Sequence, residues 1–408
     1  MSAGSTVGRV AYVCTDPGIP VFGTKGASVH VQAILRVLCH RGVEVHLVCA
    51  RVGGQPPAGL EDVLLHRLPE IGRGEPAVRE RAAQHSDAAV SALLDDLHLS
   101  GRYPGGLDLV YERHALWGRT ATLWSARHGV PAVLEVNAPL IAEQRAHRSL
   151  ADAEGAAAVA HAAFSGANTV VCVSDPVASW VRDLSPEANA AVVPNGVDTA
   201  AIHPTARVAT AGQPGFTLGF VGTLKPWHGV RHLLDALAHL NGAGGDYRTL
   251  IVGDGPEHAE LAAQAARLGI AEAVTMTGAV PAAEIPALLA QMDVATAPYP
   301  DLPDFYFSPL KIYEYLAAGL PIVASAIGPI PDALDGGRWG SLVPPGDAIA
   351  LASAIDTLRV DVERRHRIRQ QAPAAAATHD WQRVLARSLA GVDLRLPPPR
   401  AGVSSHAS

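Results

Sequence analysis

The chain has 408 residues, too long for one ordinary core, and its length points to two domains. At 48% hydrophobic and 17% charged it is built to fold rather than to stay disordered. A net charge of −7 with no basic block argues against nucleic acid as a partner.

The four cysteines, Cys14, Cys39, Cys49 and Cys172, show no CxxC spacing. Three of them (Cys14, Cys49, Cys172) fall in apolar runs, so reduced core residues of a cytoplasmic protein are expected. The opening "MSAGSTVGRVAYVC" lacks the layout of a signal peptide. No apolar run reaches the ~20 residues of a membrane span, so no transmembrane segment is expected, and peripheral membrane contact stays open.

Short apolar runs alternate with longer helical patterns from the start. Strands are predicted at 9–14, 43–50, 107–112, 130–136, 168–174 and 190–194. Helices are predicted at 27–42, 77–98, 115–128 and 139–167. Strands that are apolar on both faces and alternate with helices indicate a parallel sheet covered on both sides. The stretch 195–215, rich in Gly, Pro, Thr and Ala, then reads as a linker. A second series follows, with strands predicted at 216–222, 247–253, 273–278, 292–298, 320–325 and 340–344. The fold class is therefore α/β, with two doubly wound, Rossmann-like domains. Residues 1–195 form the first and 196–378 the second, and the tail 397–408 is read as disordered. Ligands of such sheets bind beyond the carboxyl ends of the strands, so a cleft between the two domains is expected to hold the function.

Only three of the 32 basic residues are lysines: Lys25, Lys225 and Lys311. Lys25 and Lys225 lie between a predicted strand and a predicted helix and Lys311 at the start of a helix predicted from near Pro309, each close to Gly or Pro. That is where free backbone amides and a positive helix end meet an anion. The bland alternative is that a surviving lysine must sit somewhere, and loops are the default. Glu314 lies three residues beyond Lys311, on the same helix face. The two read either as a simple surface pair or as separate ligands, with Lys311 for phosphate and Glu314 for two ribose hydroxyls. "GDGPE" (253–257) reads as structural, with Pro256 opening a helix.

"FYFSPLKIYEYLAAGLPIVAS" resembles the donor-site segment of family-4 retaining glycosyltransferases with the two-domain GT-B fold. "VVPNGVD", "FVGTLKPWHGV", "IVGDGPE", "VTMTGAVP" and "MDVATAPYP" occur in that family's order and spacing. "GTKGASVHV", "DLVYERHALWG", "VLEVNAP" and "VCVSDPV" match its first half more loosely. The resemblance implies transfer of a sugar from a nucleoside-diphosphate sugar, with retention, to a small-molecule or glycan acceptor. It implies an N-terminal acceptor domain and a C-terminal donor domain. It also implies a last helix, about 379–395, that packs back on the N-terminal domain. No cofactor and no metal are implied, since the family uses neither and the chain has no Asp-x-Asp.

Carried over residue by residue, Gly222 and Thr223 match the first phosphate loop, and Val280 falls in the segment near the nucleobase. Ser308, Leu310 and Lys311 match the segment at the diphosphate, and Glu314 matches the ribose ligand. Lys25 and Gly26 match the loop that approaches diphosphate and acceptor. Arg113 or His114 falls where the family places a histidine near the reacting sugar. Glu135 and Asn137 would face the acceptor. For His114 and Asn137 the plain alternative is a loop residue capping the next helix. Three positions depart from the pattern: Tyr306 stands for an acidic residue, Thr223 for an arginine, and His228 for a lysine. Lys225 and Lys311 would then supply the missing charge and stabilise the diphosphate leaving group as it forms. Two alternatives share the architecture: a sugar-nucleotide 2-epimerase and a non-catalytic nucleotide-sugar-binding protein. UDP and GDP, the acceptor and the oligomeric state are not distinguished by the sequence.

Overall fold

The computed structural model describes residues 5–101, 105–205 and 215–399. Those residues divide into two compact units. One takes in 5–195, 306–308 and 381–399, and the other 196–305 and 309–380, less the undescribed stretches.

The first unit contains strands β1 (Ser5–Thr6), β2 (Arg9–Cys14), β3 (Glu44–Cys49), β4 (Leu64–Arg67), β5 (Leu109–Arg113), β6 (Ala132–Val136), β7 (Thr169–Cys172) and β8 (Ala190–Val192). Seven of them form one sheet in the order β4-β3-β2-β5-β6-β7-β8, parallel throughout. The second unit carries β9 (Phe216–Val221), β10 (Tyr247–Val252), β11 (Val274–Met276), β12 (Val294–Ala297), β13 (Ile322–Ser325) and β14 (Gly340–Val343). Their order is β11-β10-β9-β12-β13-β14, again all parallel. Central strands such as β2 and β12 are buried along nearly their whole length, which is why they read as mostly apolar runs, while β5 is as buried but ends in Glu112 and Arg113.

Each sheet reverses direction once, between β2 and β5 in the first and between β9 and β12 in the second. At such a point the loops after two neighbouring strands part to opposite faces and leave a crevice. Lys25 and Gly26 follow β2, and Arg113 and His114 end and follow β5. Gly222 to His228 follow β9, and Ser308 to Lys311 follow β12.

The helix Trp381–Ala390 belongs to the first unit and packs on the helix Gly26–His40, with the rings of His30 and Trp381 4.6 Å apart. Trp381, Val384, Leu385 and Leu389 form its buried stripe. Beyond it β15 (Leu394–Arg395) pairs in parallel with β1, and Arg41 Nη1 donates to the carbonyl of Pro397 at 2.9 Å. Residues 400–408 of the expected disordered tail, and 206–214 of the expected linker, lie outside the described residues. The rest of that linker is tied down, since Val197 bridges to Asp380 and Thr199 Oγ1 donates to Asp380 Oδ2 at 2.6 Å.

Several local expectations need correction. The segment 77–98 is two helices, Pro76–Ala88 and Val90–Leu99. The segment 139–167 is also two, Leu140–His147 and Ala153–Gly166, because Asp152 caps the second by accepting from the Gly155 amide at 2.8 Å. The helix expected from 115 starts only at Thr120. Pro256 precedes the helix His258–Arg267 by a turn and does not open it. Edge strand β4, only partly buried, carries too weak an alternation to be legible. No described helix is long and apolar enough to cross a membrane.

Candidate functional site

In the second unit the loops after β9 and β12 are locked together. Gly229 has φ 66, and a Cβ there would lie 2.0 Å from the carbonyl oxygen of Pro298. Only glycine allows that left-handed turn and that approach. Beneath the loops, Thr296 Oγ1 donates to the Gly219 carbonyl at 2.9 Å, and the Val221 amide donates to the Tyr315 hydroxyl at 2.8 Å. The helix Leu310–Ala317 is thereby held under the ends of both strands. The amides of Leu310 and Lys311 have no partner within the helix, as at any helix start, while that of Ile312 donates to the Pro309 carbonyl at 3.0 Å.

Lys311 is the central finding. It is only 8% exposed, and its Nζ has no hydrogen-bond partner among the described residues. The Nζ lies 4.1 Å from the ring centre of Phe220 and 5.3 Å from that of Tyr299. Gly222, at φ 148, turns its bare side toward it, and a Cβ there would stand 3.1 Å from Nζ. Burial pushes the Lys311 ammonium down to about 7, while Glu314 pulls it back up. Glu314 is half-buried; burial raises its carboxyl pKa and Lys311 lowers it. The two are thus coupled electrostatically, without the direct bond of a surface pair.

His228 donates from Nδ1 to the Thr223 carbonyl. Burial, then the nearby charge of Lys311, hold its pKa down to about 3, and Lys225 adds to this. It is therefore neutral and supplies no charge, so the expected substitution for a basic residue is not like for like. Lys225 is half-buried with its Nζ 5.3 Å from the Trp227 ring centre, and Thr223 is exposed. Val280 follows β11, two strands from β9 in the sheet, and is half-buried. Leu310 opens the helix and is half-buried.

Ser308 groups with the first unit rather than with Lys311. Its hydroxyl accepts from the Asn195 amide at 3.0 Å, and its carbonyl from Asn195 Nδ2 at 3.2 Å. Tyr306 does likewise: its hydroxyl bonds Glu143 and its carbonyl accepts from Ser174 Oγ at 2.6 Å.

The first unit gathers its predicted residues differently. Glu135 lies inside β6, not after it, and is 2% exposed. Its Oε1 accepts from Arg113 Nη1 at 2.9 Å and from Asn137 Nδ2 at 2.5 Å. Its Oε2 accepts from the Tyr111 hydroxyl at 2.8 Å and pairs with His30 Nε2 at 2.9 Å. Although burial opposes ionisation, His30 and Arg113 hold the carboxyl down to about 2. The carboxylate is used up inside the unit, so the expectation that it faces an acceptor is corrected: it sets the orientation of Arg113 and Asn137. Asn137 caps no helix through this bond.

His114 is buried at 5% exposure against Phe164 and Trp180, with ring centres 5.1 and 6.1 Å away. Its Nδ1 lacks a partner among the described residues, and burial pushes its pKa down to about 4. It too caps nothing: the next helix is met instead by Asp87, whose Oδ2 accepts from the Thr120 amide at 3.1 Å. Lys25 is an exposed N-cap of the helix Gly26–His40, and Gly26 faces open space. Sequence reasoning missed Phe220, Tyr299 and Tyr315 around Lys311, and His30 and Tyr111 around Glu135. An aromatic residue in an apolar run carries no sign that it will face a charge.

Residues 24–201 match the family model described as Glycosyltransferase Family 4, and residues 215–361 the one described as Glycosyl transferases group 1. A GDP-mannose-dependent alpha-(1-6)-phosphatidylinositol dimannoside mannosyltransferase of Mycobacterium tuberculosis is 32% identical over 298 residues, 70% of this chain and 73% of the relative. A 2-deoxystreptamine glucosyltransferase of Streptomyces kanamyceticus is 29% identical over 65% of this chain and 71% of its own length. Among solved structures, a sucrose-phosphate synthase from Thermosynechococcus elongatus superposes with a TM-score of 0.73 at 17% identity, over 94% of this chain and 100% of that one. The parallel strand orders of both units, the family matches and these relatives converge: the chain is a group 1 glycosyltransferase with the GT-B fold.

Proposed function

We propose that this glycosyltransferase takes its sugar from a nucleoside-diphosphate donor, UDP- or GDP-linked, and passes it with retention of configuration to a small-molecule or glycan acceptor. One observation carries the reading: the buried, unpartnered Lys311 Nζ beside Gly222, at the reversal point of the second sheet and at a helix start. A cation buried without a partner is costly unless a ligand completes it. A diphosphate would do so, meeting Lys311, the amides of Leu310 and Lys311, and the loop from Gly222 through Thr223 to Lys225. Charge that grows on the leaving diphosphate would be stabilised there more than in the ground state. In this reading no metal is required, since the cations come from the chain. Glu314 would hold the ribose, Val280 would meet the base through its backbone, and Arg113 and Asn137, set by Glu135, would serve the acceptor side.

The test is a transfer assay with labelled UDP-glucose and GDP-mannose, a panel of polyol and glycan acceptors, and a chelator in parallel. Label appearing in product only when an acceptor is present, chelator or not, is the expected result. Donor altered without any acceptor would point to an epimerase, and no turnover of either donor would overturn the reading.

A further inference from the structure

We infer that Lys311 takes up a proton as a diphosphate binds, so that the affinity of this site for its anion is coupled to pH. The inference rests on the donor-site reading above. Without ligand, Nζ is surrounded by the faces of Phe220 and Tyr299 and the bare side of Gly222, none of which is a hydrogen-bond acceptor for an ammonium. Aromatic faces attract a cation weakly but accept no full hydrogen bond from it, and burial pushes the Lys311 pKa down to about 7.

The other charged groups do not change this balance. On its own helix Glu314 pulls the pKa up, by less than burial pushes it down. From the loop after β9 come neutral His228 and Lys225, and from the end of β12 comes Tyr299, whose hydroxyl pKa burial raises. Tyr315, packed below, is engaged with the Val221 amide and raised likewise. The helix Val362–Ala376, packed on the same helix, brings arginines that turn to backbone carbonyls: Arg364 to Gly340, Arg365 to Leu358 and Arg369 to Thr205. Asp332, on the short helix Ile330–Ala333, is exposed. A diphosphate arriving at Gly222 supplies the acceptors and the negative charge that are missing. The Lys311 amine then becomes an ammonium with a proton drawn from the buffer.

The experiment is calorimetric titration of the whole chain with UDP and with GDP from pH 7 to 8.5, below the ionisation of either base, in buffers of different ionisation enthalpy. Above pH 7.5 the terminal phosphate, with its second ionisation near about 6, no longer titrates. Affinity should then fall several-fold between pH 7.5 and 8.5, with net proton uptake on binding that grows from pH 7 to pH 8.5. Lys311→Met, close in volume, should bind more weakly, with neither slope nor buffer dependence. Binding that is flat in pH and blind to buffer overturns this inference and leaves the donor-site reading standing. A slope that persists in Lys311→Met assigns the proton elsewhere and overturns it too. Wild-type protein that binds neither nucleotide at any pH takes down both. Should the variant not fold, the wild-type buffer series decides alone.

Discussion

The amide of Val221 donates to the hydroxyl of Tyr315 at 2.8 Å, and that bond joins the last residue of β9 to the helix carrying Lys311 and Glu314. Both groups are buried. Tyr315→Phe should therefore destabilise the chain by about 1–3 kcal/mol, the cost of a buried donor left unpaired. A urea midpoint unchanged from wild type would show that water or a neighbour replaces the hydroxyl.

Glu135 is expected to matter for stability before it matters for turnover. Glu135→Gln leaves Arg113 buried without its carboxylate, a loss of about 3–5 kcal/mol. The sign with pH follows from a depressed pKa. The folded carboxyl titrates at about 2, against about 4.3 unfolded, so its contribution is complete above pH 4.3 or so and drains away as pH falls toward 2. Denaturation curves of wild type and variant should converge in acid; parallel curves from pH 6 to 2 would contradict the assignment.

Glu112 points the other way. It is fully buried, its oxygens are poorly satisfied, and burial, aided by Asp87 and opposed by the nearby Thr122 amide, raises its pKa well above the usual carboxylate range. The neutral acid is the form that fits. Its contribution is whole below the unfolded pKa of about 4.3 and is lost as pH rises through the folded value. Glu112→Gln should lie within about 1 kcal/mol of wild type at pH 5 and gain on it by pH 8. A variant that loses ground as pH rises would mean that the ionised form is held by a group the side chain reaches only then.

Glu314→Gln should weaken nucleotide binding without unfolding the chain. Losing a charged partner of the ribose costs about 1.5–3 kcal/mol, roughly ten- to a hundredfold in affinity. Titration with UDP and GDP measures it, and an unchanged dissociation constant for both removes Glu314 from the site.

The lysines can be separated by arginine substitution. Around Lys311 the Gly222 and Phe220 neighbours leave no room for a planar fork, so Lys311→Arg should cost about 1–3 kcal/mol of stability along with turnover. Lys225, on a half-exposed loop, should accept arginine within about 0.5 kcal/mol and still slow transfer. Lys25, exposed at a helix start, should show the smallest change in rate. Full activity in both Lys225→Arg and Lys311→Arg would remove phosphate from their role.

The alternation of apolar runs with helical patterns was enough to specify two parallel α/β sheets, because strands buried on both faces are largely apolar. The same order placed the lysines between strand and helix, and a shortage of lysine in an arginine-rich chain singled them out. What local pattern did not carry was the fate of each side chain. Nothing near Glu135 in sequence announces His30, 105 residues away, or Tyr111, 24 away, as its partners. Spacing on a helix left Lys311 and Glu314 readable either as a simple pair or as two separate ligands. Only the packing of Phe220, from β9, and Tyr299, just past the end of β12, shows that Lys311 is buried, with no hydrogen-bond partner for its Nζ among the described residues. Strand existence follows from periodicity within a segment, which is local. Burial and protonation depend on which distant segments share a face, and that is decided by strand order in the sheet.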